Sequence, residues 1–319
     1  MKAILVSEFG GPEVLRFEEI DTPRPMGTQV LVRVHAAGVN PVDTYIRSGI
    51  HAVKPKLPYT PGKDAAGVVE SVGEAVSRFK PGDRVYTAGS ISGTYAEYSL
   101  CDETHLGILP DNISFEQGAG IWTPYATAYR ALFQKAKLGA GETVIIHGAS
   151  GGVGLAALQW ANRVGAQAIG TASSSEGQDL IVENGAIAGF DHADPEHFAQ
   201  IKEFTVGGAD VIIEMLANVN LERDFEMLAM FGRIVVVGSR GSLEFTPRLA
   251  MTKDASVYGM SLFNAPQSDL NKIHTAIAEG ASAGYLQPVI TRTFPLADAA
   301  QAHHDVIEQK GNGKIVLVP

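Results

Sequence analysis

The first third of the chain carries short apolar runs that are rich in β-branched residues and separated by glycine and proline. Each run has the length of a strand, and Lys80-Pro81-Gly82-Asp83 between two of them is a turn signal. The pattern predicts a small all-β unit, barrel-like in form. Its predicted strands are Gln29 to Ala36, Gly67 to Val72, Arg84 to Thr87 and Tyr95 to Leu100.

From about Tyr125 onward the pattern changes to strands that alternate with helices. Such alternation predicts βαβ units and a parallel sheet. The predicted strands are Thr143 to His147, Ala166 to Thr171, Ala209 to Met215, Arg233 to Gly238 and Ser256 to Phe263, with a helix from Gly154 to Val164. After Pro266 the pattern predicts a helix, a strand at Val289 to Phe294, a helix around Leu296 to Glu308 and a strand at Lys314 to Val318.

Composition narrows the classes of protein that this pattern allows. A chain of 319 residues with 45% hydrophobic and 19% charged residues is an ordinary globular sequence and predicts two domains, at about 150 residues each. The net charge of −10, without a block of lysine or arginine, disfavours a nucleic-acid partner. The early apolar run Ala3 to Val6 is too short for a signal peptide, and no run approaches the roughly 20 residues of a membrane span. We therefore expect a cytoplasmic protein without a membrane partner.

The segment with the clearest chemistry is Thr143-Val-Ile-Ile-His-Gly-Ala-Ser-Gly-Gly-Val-Gly154, a predicted strand that runs through a glycine-rich turn into a helix. Gly151 lets the backbone approach a pyrophosphate, and Gly154 lets the helix pack closely on the strand. The helix N-terminus adds free N–H groups and a partial positive charge. Ala149 stands where the dinucleotide fingerprint usually has its first glycine. The strand before it and the βαβ pattern after it favour a dinucleotide site over a plain loop.

The end of the second strand bears on the choice of dinucleotide. NAD-specific sites place a carboxylate about 20 residues past the fingerprint, where it binds the ribose and repels the 2′-phosphate of NADP. Here that strand leads into Ala172-Ser173-Ser174-Ser175, with no acid at the expected place and no lysine or arginine beside it. The sequence therefore favours NADPH over NADH.

Seven motifs, which follow one another over nearly the whole chain, match a known family. They are Phe9 to Val14, Gly38 to Gly49, Pro58 to Gly62, Lys80 to Val85, Thr143 to Gly154, Glu214 to Asn220 and Val237 to Gly241. With them the chain resembles the zinc-free quinone oxidoreductases, of zeta-crystallin type, in the medium-chain dehydrogenase/reductase superfamily.

The resemblance implies an α/β fold in two parts. Residues 1–124 and 264–319 would form a GroES-like β-barrel domain for substrate and catalysis. Residues 125–263 would form a doubly wound Rossmann domain with a parallel sheet, which binds NADPH. The cofactor would then lie in the cleft at the carboxyl ends of the strands.

Zinc is not expected. The chain has one cysteine, Cys101, whereas thiolate zinc sites and intramolecular disulfides need more. The zinc-dependent relatives need a thiolate where this chain has Asn40, and carry a His-Glu pair where it has Lys63-Asp64. His105, His147 and His192 lack metal-ligand spacing. Without a Lewis acid, the substrate should already be activated, as a quinone or an α,β-unsaturated carbonyl compound is.

The resemblance also assigns site residues. Asn40 and Tyr45 would lie beside the nicotinamide and act by positioning; from the residues alone, Asn40 reads as a turn residue and Tyr45 as a half-buried aromatic. His192 reads equally well as a surface turn residue, and Arg240 as the partner of a surface carboxylate. The expected cofactor residues are Thr127, Ser150, Gly151, Gly152, Val153, Ser173, His192, Asn218, Asn220, Gly238, Ser239, Arg240, Met260, Ser261 and Leu262.

Three functions remain open. The first is NADPH:quinone oxidoreductase. The second is an enone or enoyl-thioester reductase, in which Tyr45 would be the proton donor. The third is a non-enzymatic, NADPH-binding or RNA-associating protein of the crystallin kind. In each case a homodimer is expected through the edge strand Ser256 to Phe263, with a tetramer as the alternative, because pairing removes an open sheet edge.

Overall fold

The computed structural model describes residues 1–52, 54–308 and 312–319. The chain divides into two compact units. The first consists of Met1–Thr123 and Ala276–Pro319, and the second of Pro124–Thr275.

The described strands, in chain order, are β1 Lys2–Leu5, β2 Arg16–Glu19, β3 Gln29–Val39, β4 Asp64–Val72, β5 Arg84–Thr87, β6 Tyr98–Asp102, β7 Leu106–Ile108, β8 Thr143–Ile146, β9 Gln167–Ala172, β10 Ala188–Asp191, β11 Ala209–Glu214, β12 Leu228–Val236, β13 Ser256–Gly259, β14 Ile290–Pro295 and β15 Lys314–Val318. The α-helices are α1 Pro41–Arg47, α2 Phe115–Ala119, α3 Trp122–Tyr129, α4 Gly152–Arg163, α5 Ser175–Glu183, α6 His197–Phe204, α7 Ala217–Met227, α8 Arg248–Lys253, α9 Gln267–Ser282 and α10 Ala299–Glu308. A π-helical segment, Arg130–Lys135, follows α3.

The first unit is built on a seven-stranded sheet. The strand order is β14-β15-β3-β4-β5-β7, with β6 also paired to β3. The C-terminal strand β15 lies antiparallel to β3, which places Ile315 opposite Val39, so the two ends of the chain form one sheet. Valines of β3 to β5 pack with Phe79, Cys101 and Leu106 in one of its cores. The strands predicted for the first third are present, but this part of the chain is not all-β, because it also contains the helices α1 and α2.

The second unit is a parallel sheet of six strands in the order β10-β9-β8-β11-β12-β13. Counted along the chain this is 3-2-1-4-5-6, the doubly wound order. Ile145, Ile169, Ile212 and Ile234 are fully buried at its centre. The strand order reverses between β8 and β11, and ligands of such sheets bind outside the carboxyl ends of the strands at that point.

The predicted strand Ser256 to Phe263 is shorter than expected. It ends at Gly259, and Ser261 begins a 3-10 turn over Leu262–Asn264. The short strands β1, β2, β7 and β10 were not predicted. Among the described residues, no helix combines the length and the apolar character needed to cross a membrane.

Candidate functional site

The glycine-rich turn lies between β8 and α4, at the carboxyl edge of the second unit's sheet. Thr171 of the neighbouring strand holds it: its Oγ1 accepts from Gly148 N at 3.0 Å and its carbonyl from Ala149 N at 2.7 Å. A Cβ on Gly154 would collide with the backbone of Ala149. Gly154 therefore allows α4 to pack against the turn, as the sequence predicts.

The other side of this turn is open. A Cβ on Gly151 would meet only the carbonyl oxygen of Gly148, at 3.5 Å. Gly151 is the N-cap of α4 and brings no capping side chain, so the first helical N–H groups, at Gly152 and Val153, have no capping acceptor from it. Ser150 is buried beside them. This is the shape and polarity that a pyrophosphate needs, and the turn fits a dinucleotide.

Ser173 and His192 follow neighbouring strands, β9 and β10. Ser173 is half-buried, and the next residue, Ser174, caps α5 by accepting from Gly177 N at 3.1 Å. His192 is exposed, and its Nδ1 lies 3.4 Å from the hydroxyl of Thr171. The structure thus brings both predicted residues to one edge, where no carboxylate stands at the end of β9.

The loops after β11 and β12 are tied to one another. The side-chain oxygen of Asn218 accepts from Arg240 N at 2.8 Å and from Ser239 Oγ at 3.3 Å. A Cβ on Gly238 would collide with the carbonyl oxygen of Met215, so glycine permits the close approach. The predicted residues Asn218, Gly238, Ser239 and Arg240 therefore form one cluster.

The remaining predicted cofactor residues are more scattered. Met260 continues the pairing of β13, since its N–H donates to Val236 O at 3.0 Å, and Ser261 and Leu262 begin the turn after it. Thr127 is buried in α3.

Three buried titratable side chains meet just below this edge. His147 Nε2 lies 2.8 Å from Asp224 Oδ1 and 3.6 Å from Glu214 Oε2. The other carboxylate oxygen of Glu214 accepts from Leu216 N and, at 3.3 Å, from Asn220 Nδ2. Burial raises the pKa of Glu214 to about 7, and the two neighbouring carboxylates raise the pKa of His147.

In the first unit, Asn40 belongs to a buried polar cluster. Its Nδ2 donates to Asp64 Oδ2 at 3.0 Å, and its Oδ1 accepts from Lys314 Nζ. Thr123 Oγ1 also donates to Asp64, at 2.7 Å. Burial raises the pKa of Asp64 and lowers that of Lys314. Because Asn40 is only 4% exposed, most of its amide is occupied within the protein.

Tyr45 differs from Asn40. It lies on α1 and is half-buried, and its hydroxyl has no hydrogen-bond partner among residues 1–52, 54–308 and 312–319. Of the two residues predicted for catalysis, Tyr45 is therefore the one whose polar group is available to a ligand.

A cavity of about 510 Å³ lies against the same helix. Asp43, Ile46 and Tyr59 line its wall, and Lys56 and Lys63 contribute positive charge. Burial raises the pKa of Asp43 to about 6 and that of Tyr59 to about 12. Neither Asn40 nor Tyr45 lines this cavity, so it does not coincide with the predicted catalytic pair.

Comparison with known sequences gives the family. A family model described as "Alcohol dehydrogenase GroES-like domain" matches residues 26–132, and one described as "Zinc-binding dehydrogenase" matches residues 152–279. The pig (Sus scrofa) protein named "Quinone oxidoreductase" is 50% identical over 100% of this chain and 98% of its own length. The chain belongs to the quinone oxidoreductase family of medium-chain dehydrogenases/reductases, the family expected from its motifs.

Two solved structures have the same fold. The Escherichia coli quinone oxidoreductase, solved in complex with NADPH, has a TM-score of 0.91 and 30% identity, and each chain is covered completely. A structure titled as an NAD-dependent alcohol dehydrogenase has a TM-score of 0.93 and 30% identity, again over 100% of both chains. The expected pairing of a GroES-like domain with a Rossmann domain is confirmed.

The second family model is named for zinc binding. The contacts of Asn40, Asp64 and Cys101 show whether these side chains could be ligands of a thiolate zinc site. Asn40 and Asp64 are held by the Lys314 ammonium, a cation in its own right. The one cysteine, Cys101, is buried, and its Sγ donates to Gly89 O at 3.5 Å. Burial raises the pKa of this thiol to about 11. Asn40, Asp64 and Cys101 therefore do not form a thiolate zinc site.

Sequence reasoning missed the buried charges at both sites. His147 looked isolated, because Glu214 and Asp224 come from distant segments, and Lys314 looked like the start of a terminal strand. A signal was present: Glu214 directly follows the apolar run Val211 to Ile213, and Lys314 directly precedes the apolar run Ile315 to Val318. Charges are rarely fully buried unless they are paired.

Proposed function

We propose that this protein reduces quinones with NADPH. The glycine-rich turn carries the proposal. It leads into the uncapped N-terminus of α4, and the neighbouring strand β9 is followed by hydroxyl side chains where an NAD site would have a carboxylate. The NADPH complex of the E. coli quinone oxidoreductase and the 50% identity to the pig protein support it. We assign NADPH binding to residues 125–263, and substrate binding and catalysis to residues 1–124 and 264–319.

Each group of cofactor residues has a proposed role. Backbone N–H groups of Ser150 to Val153 hold the pyrophosphate. Ser173 and His192 face the 2′-phosphate. Arg240, exposed in the loop after β12, pairs with a phosphate of the cofactor. The loops that carry Asn218, Asn220 and Met260 to Leu262 border the nicotinamide half, and Thr127 borders its ribose.

The bound nicotinamide supplies a hydride or an electron to the quinone. The chain contributes position. The Tyr45 hydroxyl, which has no partner in the part of the chain that the structure describes, donates a hydrogen bond to the substrate oxygen, and the second Nδ2 hydrogen of Asn40 fixes a carbonyl or carboxamide group. Water can protonate the reduced quinone, so this reaction needs no acid with a shifted pKa.

An enone or enoyl-thioester reductase is the second candidate. Its reaction must deliver a proton to carbon, and the observation in its favour is the Tyr45 hydroxyl, which is free to donate one. A crystallin-like binding protein, associated with RNA or otherwise non-enzymatic, would bind NADPH without turnover.

We further propose a cytoplasmic homodimer that pairs through β13. This strand is the edge of its sheet, and its Val257 and Tyr258 are 42% and 37% exposed. Pairing with a second copy would remove the open edge. A tetramer is the alternative assembly.

The test is steady-state oxidation of NADPH and of NADH by the chelator-treated protein. The acceptors are an ortho-quinone, an enone and a simple ketone. We expect rapid oxidation of NADPH by the quinone, and little with NADH or with the ketone. Preference for the enone would select the second candidate, and tight NADPH binding with no turnover would select the binding protein.

A further inference from the structure

We infer that His147, Glu214 and Asp224 form an anchor that positions the cofactor loops, so that Glu214 sets the affinity for NADPH without touching it. The three side chains come from the end of β8, the end of β11 and the middle of α7. The inference rests on the proposed cofactor edge, and these are positioning residues rather than catalytic ones.

The anchor joins the segments that are proposed to bind the cofactor. His147 directly precedes the glycine-rich turn, which begins at Gly148. Through its side chain, Glu214 accepts from Leu216 N and Asn220 Nδ2. Its backbone carbonyl accepts from Val237 N at 2.8 Å. One residue thus restrains the loops after both β11 and β12.

Burial disfavours charge on both carboxylates of this cluster. Glu214 and Asp224 are completely buried, and the second oxygen of each, Oε2 and Oδ2, has no hydrogen-bond partner among the described residues. Two unscreened carboxylates beside one imidazole would repel each other strongly. Protonation of Glu214 removes one of these charges, and burial raises the pKa of Glu214. Glutamine at position 214 reproduces the neutral form, whereas leucine removes the acceptor for Leu216 N.

The experiment compares Glu214→Leu with Glu214→Gln by fluorescence titration of NADPH and by steady-state kinetics. Loss of an acceptor for a buried N–H should raise the Kd of Glu214→Leu about tenfold, with kcat at saturating NADPH within about twofold of wild type. Glu214→Gln should bind within about twofold of wild type. Equal Kd values for Glu214→Leu and wild type would overturn the anchor, and so would a Glu214→Gln protein as weak as Glu214→Leu.

Two further variants keep the test decisive. Asp224→Asn preserves volume and removes the charge that holds His147; we expect a Kd about threefold higher. The control, Glu142→Gln, breaks the 2.8 Å ion pair with Arg233 at the opposite end of β8 and should leave the Kd unchanged. If Glu142→Gln weakens NADPH binding as much as Asp224→Asn does, general stability and not the anchor is responsible.

Failure of the inference can be told from failure of the proposed site. Gly151→Val blocks the proposed pyrophosphate position directly. If Gly151→Val binds NADPH normally, the site itself is misplaced. If Gly151→Val abolishes binding while Glu214→Leu, folded by circular dichroism, binds like wild type, the site stands and the anchor alone is refuted.

Discussion

At the scale of single residues, two glycines three positions apart have different roles. Gly151 faces open space on the ligand side, whereas Gly154 faces the backbone of Ala149. The fingerprint names both glycines from spacing alone. The structure separates the glycine that we propose for binding from the one that the packing of α4 requires.

We predict that Gly151→Val abolishes NADPH binding with little change in thermal stability. Its added atoms meet no protein backbone closer than 3.5 Å at the Cβ, but they occupy the pyrophosphate position. The matched variant Gly154→Ala should instead lower the free energy of unfolding by about 1–3 kcal/mol, because α4 must shift. Titration of NADPH and thermal unfolding of both variants check this. Normal affinity in Gly151→Val would contradict the site.

Tyr45→Phe separates the two candidate reactions. A lost hydrogen bond to a quinone oxygen should lower kcat/KM a few-fold, or about 1 kcal/mol. Loss of a proton donor should lower enone reduction by about 100-fold or more. Rates with both acceptors, measured on the same protein, decide between these roles. Large and equal losses would mean that the hydroxyl has a part that neither reaction explains.

At the scale of elements, the sequence could predict most strands but few of their buried charges. β5 and β15 begin and end where the pattern predicts, because an apolar run with flanking turn residues is a local property. The partners of Asn40 are not local: Lys314 comes from the last strand and Asp64 from β4. Such clusters depend on the register between distant strands, and a single sequence does not reveal that register.

Helix α10 carries a pH-sensitive contact with the core. His303 is 1% exposed, and its Nε2 lies 3.1 Å from Tyr95 OH. That hydroxyl donates to Asp43 Oδ2 at 3.2 Å, so the imidazole donates to Tyr95 as the neutral tautomer. Burial lowers the pKa of His303 to about 3. Its Nδ1 has no partner among the described residues, and a proton there would be uncompensated.

The buried His303 makes the folding stability depend on pH. Between pH 6.5 and 3 the unfolded chain binds a proton at His303 and the folded chain does not, so stability falls as the pH falls. The loss should be about 1–2 kcal/mol between pH 6.5 and 5. Asp43, with its raised pKa, acts in the opposite direction, losing stability as pH rises toward 6. Urea midpoints of His303→Gln should fall less steeply below pH 6.5 than those of wild type, and parallel curves would contradict this assignment.

At the scale of the whole molecule, the fold accounts for the chemistry that the chain can perform. The doubly wound unit supplies a dinucleotide edge at its switch point. In the other unit, the buried cluster of Asn40, Asp64 and Lys314 is held together by its own hydrogen bonds and ion pair. An ammonium buried among these groups does not act as a Lewis acid, and the protein is therefore suited to acceptors that are reduced without one.

The proposed dimer can be tested at a single N–H group. Met260 N donates to β12, and successive residues of a strand point their N–H groups to opposite sides, so Val257 N points away from β12 toward the open edge. Val257→Pro removes this donor without breaking a bond to β12, and should shift the protein from dimer to monomer in light scattering. Val257→Thr keeps the N–H and should remain dimeric. A wild-type protein that is monomeric at every concentration, or a Val257→Pro protein that still dimerises, would show that β13 is not the interface.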